Sequence, residues 1–113
     1  MSMTLSTHVL DTAHGRPAAG IAVTLLDGDG MRLFDGVTNA DGRCPALAAV
    51  PVSPGRHALC FAVADYFRAA GVELPNPPFL DRVTIDFGIA PEGGHYHVPL
   101  LVSPYSYSTY RGS

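Results

Sequence analysis

Along most of the chain apolar and polar positions alternate with period two, and the alternation is interrupted at short intervals by Gly, Pro, Asn and Asp. In TLSTHVLD, residues 4–11, Leu5, Thr7 and Val9 share one face of a predicted strand, and the residues between them share the other. HGRPAAG then turns the chain before the apolar run from Ile21 to Leu26, a second strand. DGDG at Asp27 to Gly30 and NADG at Asn39 to Gly42 have the composition of hairpin turns, which makes Met31 to Thr38 a third strand. PVSPG breaks the chain before RHALCFAV, and RVTIDFGI alternates Val83, Ile85, Phe87 and Ile89 with polar partners; both are predicted strands. VADYFRAAG, Val63 to Gly71, has helical spacing instead, with Ala64, Phe67 and Ala70 on one side and Gly71 as a stop. Many short strands, regular turn signals and one short helix predict an all-β sandwich.

Composition adds an expectation about assembly. With 113 residues, 47% of them hydrophobic, the chain makes one domain over residues 1–113 that can bury roughly two-thirds of its unfolded surface. Charged residues amount to 15%, against about 25% in ordinary soluble domains, and a surface short of charge is often covered by copies of itself, so a homo-oligomer is expected. The net charge is −3 and the seven basic residues are scattered arginines, which leaves no stripe for a nucleic-acid backbone. With no lysine, Schiff-base and lysine general-base chemistry are excluded, and proton transfer falls to histidines and carboxylates. No basic segment precedes an apolar run at the start, and no apolar stretch is long enough to span a bilayer; the expectation is a soluble, cytoplasmic protein without membrane contact. Cys44 and Cys60 lack metal or redox spacing and are expected to be reduced packing residues.

Candidate chemistry concentrates near the end. His95 and His97 stand two apart, so in a strand they share a face, and Pro99 continues it without an amide hydrogen. Together with His8 they are compatible with a three-histidine zinc site, with metal-free acid/base catalysis or with plain structural histidines, and spacing leaves all three open. Arg43, after a tight Asp-Gly turn, is either a solvated loop arginine or an anion clamp. Tyr105, Tyr107 and Tyr110 alternate with Ser106 and Ser108, a pattern that suits an interface or a site. So dense a run of hydrogen-bonding groups predicts that the chain end is docked. There is no G-x-S-x-G elbow, phosphate loop or obvious carboxylate pair.

LSTHVLD near the start, TNADGR in the middle and HYHVPLLVSPYSYSTYRGS at the end resemble the transthyretin-related proteins, specifically the 5-hydroxyisourate hydrolases of urate (purine) degradation. The resemblance covers nearly the whole chain, and the YRGS ending distinguishes the hydrolases from hormone-carrying transthyretins. It implies a transthyretin-like sandwich of two four-stranded sheets with one short helix. It further implies a homotetramer, a dimer of dimers with active sites where the dimers meet. By the same resemblance the catalytic residues are His8, Arg43 and His97, joined by Ser113 at the chain end. His8, Arg43, Tyr110 and Arg111 bind the substrate, His95 is structural, and no metal or other cofactor is required. The implied reaction is water attack on the C6 carbonyl of 5-hydroxyisourate, opening the N1–C6 bond. The alternative is a transthyretin-like carrier that holds a small planar ligand without turning it over. Leu80 and Asp81 stand where the family has an aromatic residue and a proline, and RHALCFAVADYF also departs from its usual pattern, which concerns packing more than the catalytic set.

Overall fold

A computed structural model of the chain describes residues 3–112. The strands are β1 (Met3–Ser6), β2 (Val9–Asp11), β3 (Arg16–Pro17), β4 (Ala22–Asp27), β5 (Arg32–Val37), β6 (Gly55–Ala62), β7 (Arg82–Ile89), β8 (Gly94–His97), β9 (Leu100–Val102) and β10 (Tyr107–Thr109). A 3-10 helix covers Pro45–Ala49, and α1 covers Val63–Ala69. One four-stranded sheet runs β5-β4-β6-β7 and a second runs β10-β9-β2-β3, with β1 and β8 paired beside it. This is the expected sandwich with one α-helix; the 3-10 helix and the short β3 are additions. Among the described residues no helix is long and apolar enough to cross a membrane.

The β1·β8 pair and the second sheet are one structure. Each residue of β1 and β2 faces the residue 91 positions on, from Met3 with Gly94 to Val9 with Leu100, so the parallel register is unbroken. Val98 N–H donates to the Ser6 carbonyl and Leu100 N–H to the His8 carbonyl, at 2.9 Å each, so the ladder carries on through the gap. Amide directions alternate along a strand, so Pro99 would present its missing N–H to the other side, where the chain end runs. There β10 stops at Thr109, and pairing resumes in the same register at the single bridge His97–Gly112.

The core lies between the sheets. Leu5, Val9, Val23, Leu25, Leu59 and Phe61 are fully buried, as period-two alternation requires of one face of each strand. Helix α1 adds Val63, Ala64, Tyr66 and Phe67 to the buried set. It is anchored by Asp11, which is 1% exposed and accepts from the Tyr66 hydroxyl at 2.7 Å, the His14 ring at 2.6 Å and the His14 amide at 3.0 Å. Burial pushes the Asp11 carboxyl up, but the hydrogen bonds from Tyr66 and His14 outweigh it and hold the group below its ordinary value. Cys44 is buried, Cys60 is half-buried, and both are free thiols.

Candidate active site

The face of the β1–β2/β8–β9 ladder turned away from the core is polar. Leu5, Thr7, Val9, Tyr96 and Val98 point inward; the alternate residues, Thr4, Ser6, His8, His95 and His97, point outward. Spacing alone puts His95 beside His97. What brings His8 to them is the parallel register, which lays Ser6 against His97 and continues with His8 against Pro99.

Arg43 arrives from the other side. The Asn39 side chain accepts from the amides of Asp41 and Arg43 at 3.0 Å each, and Asn39 N–H donates to the Arg43 carbonyl at 2.8 Å, closing the NADG turn. At Gly42, φ is +76°, and a Cβ there would come within 2.4 Å of the Val9 carbonyl oxygen, so only glycine lets the turn lie this close to β2. Val9 N–H donates to the Gly42 carbonyl at 2.8 Å, and His8 forms an antiparallel bridge with Arg43, which puts both side chains on one face. NADG therefore ends in a docked loop and a 3-10 turn in place of the expected hairpin.

The chain end closes the third side. Gly112 N–H donates to the His97 carbonyl at 2.8 Å, and a Cβ on Gly112 would lie 2.5 Å from His97 Cδ2, so this glycine packs directly on the imidazole. The same register sets Tyr110 opposite Pro99, and Tyr110 is 60% exposed. Arg111 turns the other way: its guanidinium lies 4.2 Å over the Tyr96 ring and reaches the His95 carbonyl at 3.5 Å. Ser113 lies outside the described residues. The docked end expected from the sequence is present, with Tyr107 in β10 and Tyr105 in the turn before it.

His97 is half-buried, and its Nδ1 lies 2.7 Å from Ser6 Oγ, which leaves Nε2 as the nitrogen available to a substrate or a water. Burial, and after it the Arg43 guanidinium and repulsion between its own charged form and the His8 and His95 rings, hold its pKa below the ordinary histidine value, so the ring is neutral at neutral pH. Both His95 nitrogens face hydroxyls, Thr4 Oγ1 at 2.6 Å from Nδ1 and Ser6 Oγ at 3.0 Å from Nε2. A three-histidine metal site would need one of them free, and among the described residues no group of three His, Cys, Asp or Glu converges as metal ligands do. Ser6 and Thr4 went unrecognised in the sequence; the available signal was that Thr4, Ser6 and His8 share one strand face.

The chain and its fold have counterparts among known proteins. The profile of the HIUase/Transthyretin family matches residues 5–112. The chain belongs to that family. A 5-hydroxyisourate hydrolase of Mesorhizobium japonicum is 57% identical over 96% of this chain and 91% of its own length. The solved structure of Klebsiella pneumoniae 5-hydroxyisourate hydrolase superimposes with a TM-score of 0.85 at 42% identity, covering all of both chains. Sea bream transthyretin in complex with thyroxine gives 0.84 at 29% identity over 96% of this chain and 94% of its own. The fold is thus transthyretin-like.

Proposed function

We propose that the chain, as one domain, hydrolyses 5-hydroxyisourate by water attack on the C6 carbonyl, opening the N1–C6 bond. The observation that carries this reading is the meeting of a neutral imidazole, His97, with His8 and the guanidinium of Arg43 on one polar sheet face. Three tasks follow from the reaction. A base must take a proton from water, and a neutral His97 Nε2 suits that, positioned general bases giving about 10²–10⁴-fold. Charge develops on the carbonyl oxygen and the departing nitrogen, where the planar, permanently charged Arg43 is the stabiliser. The flat ring must be held, a task that falls to His8 and Tyr110.

Arg43 and His95 are exposed, so this face by itself excludes little water. A second copy laid over it supplies the missing wall, which supports the homotetramer with sites between dimers. Tyr110, 60% exposed and in register with Pro99 on this face, is apolar surface suited to such contacts. The carrier reading rests on the likeness to the thyroxine-bound transthyretin; the histidines and arginine of this face, and the higher identity to hydrolases, favour catalysis. The test is stopped-flow absorbance with freshly generated 5-hydroxyisourate, with and without the protein at micromolar concentration. Faster decay is expected, and an unchanged decay overturns the reading. Light scattering on the same sample is expected to give about four times the 11.9 kDa chain mass, and a fully active monomer contradicts the shared site.

A further inference from the structure

Ser6 sits between two imidazoles. Its Oγ lies 2.7 Å from His97 Nδ1 and 3.0 Å from His95 Nε2, and Thr4 Oγ1 lies 2.6 Å from His95 Nδ1. A serine hydroxyl has one proton to donate, so between two ring nitrogens it donates to one and accepts from the other. The tautomers of His95 and His97 are therefore coupled through a single proton. Four side chains from two strands form one row, held by the parallel register of β1 and β8.

We infer that Ser6 is a positioning residue for the hydrolysis, a hydroxyl relay that presents the lone pair of His97 Nε2 and shares its proton with His95. This rests on the reading of His97 as the base. In the resting row His97 Nδ1–H donates to Ser6 Oγ, Ser6 O–H donates to His95 Nε2, and His95 Nδ1–H donates to Thr4 Oγ1. When Nε2 takes a proton from the attacking water, the His97 Nδ1 proton passes to Ser6 Oγ as the Ser6 proton passes to His95 Nε2. His97 is then neutral with its proton on Nε2, and the positive charge is on His95. As the Nε2 proton goes to the departing ring nitrogen, His95 returns its extra proton through Ser6 to His97 Nδ1, and the row is restored.

The surroundings give this transfer a direction. The charged and titratable groups around His97 are His8, Arg43 and His95, with Arg111 reaching the His95 carbonyl oxygen. A charge left on His97 lies half-buried next to Arg43 and His8, whereas on His95, opposite Thr4, it lies farther along the ladder from the His8–Arg43 bridge, with a hydroxyl oxygen at each ring nitrogen to accept from it. His95, read from the sequence as structural, thereby becomes the store for the proton.

The test compares Ser6→Ala, Ser6→Thr and His97→Asn in the full-length protein. With nitrogen-15 NMR of the imidazoles at neutral pH, the wild-type His97 is expected as the Nδ1–H tautomer, and Ser6→Ala is expected to move it to Nε2–H with the amide spectrum otherwise retained. Turnover of Ser6→Ala should fall about tenfold with KM within about twofold, and Ser6→Thr, which keeps the hydroxyl, should recover most of it. Unchanged tautomer and turnover in Ser6→Ala, with His97→Asn inactive, overturn the relay and leave His97 as the base. Full activity in His97→Asn overturns the reading of the base itself.

Discussion

The outer faces of the two sheets have the same geometry and different chemistry. On the β1–β2/β8–β9 ladder, Thr4, His95, Ser6 and His97 are linked across strands by side-chain hydrogen bonds of 2.6 to 3.0 Å. On the β5-β4-β6-β7 sheet the cross-strand contacts of the outward side chains are Thr24 with Asp35, at 2.8 Å, and Cys60 with Thr84, at 3.5 Å. That second face behaves as ordinary solvated surface, with Arg32 and Asp35 pairing in water at little gain. Alternation gives every strand a polar side. A site arises where a parallel register and a docked loop stack titratable side chains into one row.

The largest effects should come from breaking that row. His97→Asn is expected to lower turnover by about 10²-fold or more, with the fold intact, whereas His95→Asn should cost only several-fold. Equal losses measured in the stopped-flow assay contradict the division between base and proton store. Arg43→Gln removes the stabilising charge and should cost about 10²–10³-fold in turnover. It also removes a positive neighbour from His97, so the His97 pKa must rise and the acid limb of the rate profile must move to higher pH. An acid limb that stays in place shows that Arg43 does not act on this ring.

Gly112→Ala should come next. Its Cβ would sit 2.5 Å from His97 Cδ2, so the ring must shift, and about tenfold in turnover is expected to be lost while melting is nearly unchanged. Wild-type turnover with the alanine in place indicates that the His97 ring has room to move without consequence.

How much of this was legible in the sequence differs between these regions for a physical reason. Strand and helix positions depend on local periodicity, and RVTIDFGI maps directly onto β7, Arg82–Ile89. The His95/His97 pair is also local, because a spacing of two fixes a common face. The meeting of His8 with His97 depends on a pairing 91 residues apart, which no periodicity encodes, and only resemblance to relatives supplied it. The contact of Arg43 with His8 likewise depends on a turn docking on a strand, where Gly42 was the sole local hint. The Pro45–Ala49 helix was overlooked although Pro45 at its start and the following Ala-Leu-Ala-Ala were a fair signal. Asp11, His14 and Tyr66 were missed as a group because two elements far apart in sequence have to pack before they touch.

That network should affect stability and leave turnover alone. Tyr66→Phe removes one hydrogen bond to a buried carboxylate and is expected to cost about 1–3 kcal/mol of stability. The folded Asp11 pKa is depressed, so its contribution is present above the ordinary carboxylate value and fades as pH falls through the folded one. The stability gap between wild type and Tyr66→Phe should therefore be larger by denaturant unfolding at neutral pH than at a pH of about 3. A gap independent of pH means that the hydroxyl does not act through Asp11.

The smallest effect is expected on the second sheet, and its smallness is the sharper half of the comparison. Thr84 is exposed on β7, and its hydroxyl meets Cys60 Sγ at 3.5 Å, a weak contact between a soft acceptor and a group already hydrated. Thr84→Ala leaves no buried polar atom without a partner and opens no cavity, since the side chain stands in water. The expected change is within about 0.5 kcal/mol in stability, with turnover at the wild-type level. Ser6→Ala is the same kind of deletion, a hydroxyl lost from the outward face of a strand, yet there about tenfold in turnover is expected to go. Measured side by side, the two variants separate what any exposed hydroxyl contributes from what one contributes when two imidazoles share it. A comparable loss of turnover in Thr84→Ala would extend the catalytic surface to the second sheet and end the distinction between the two faces.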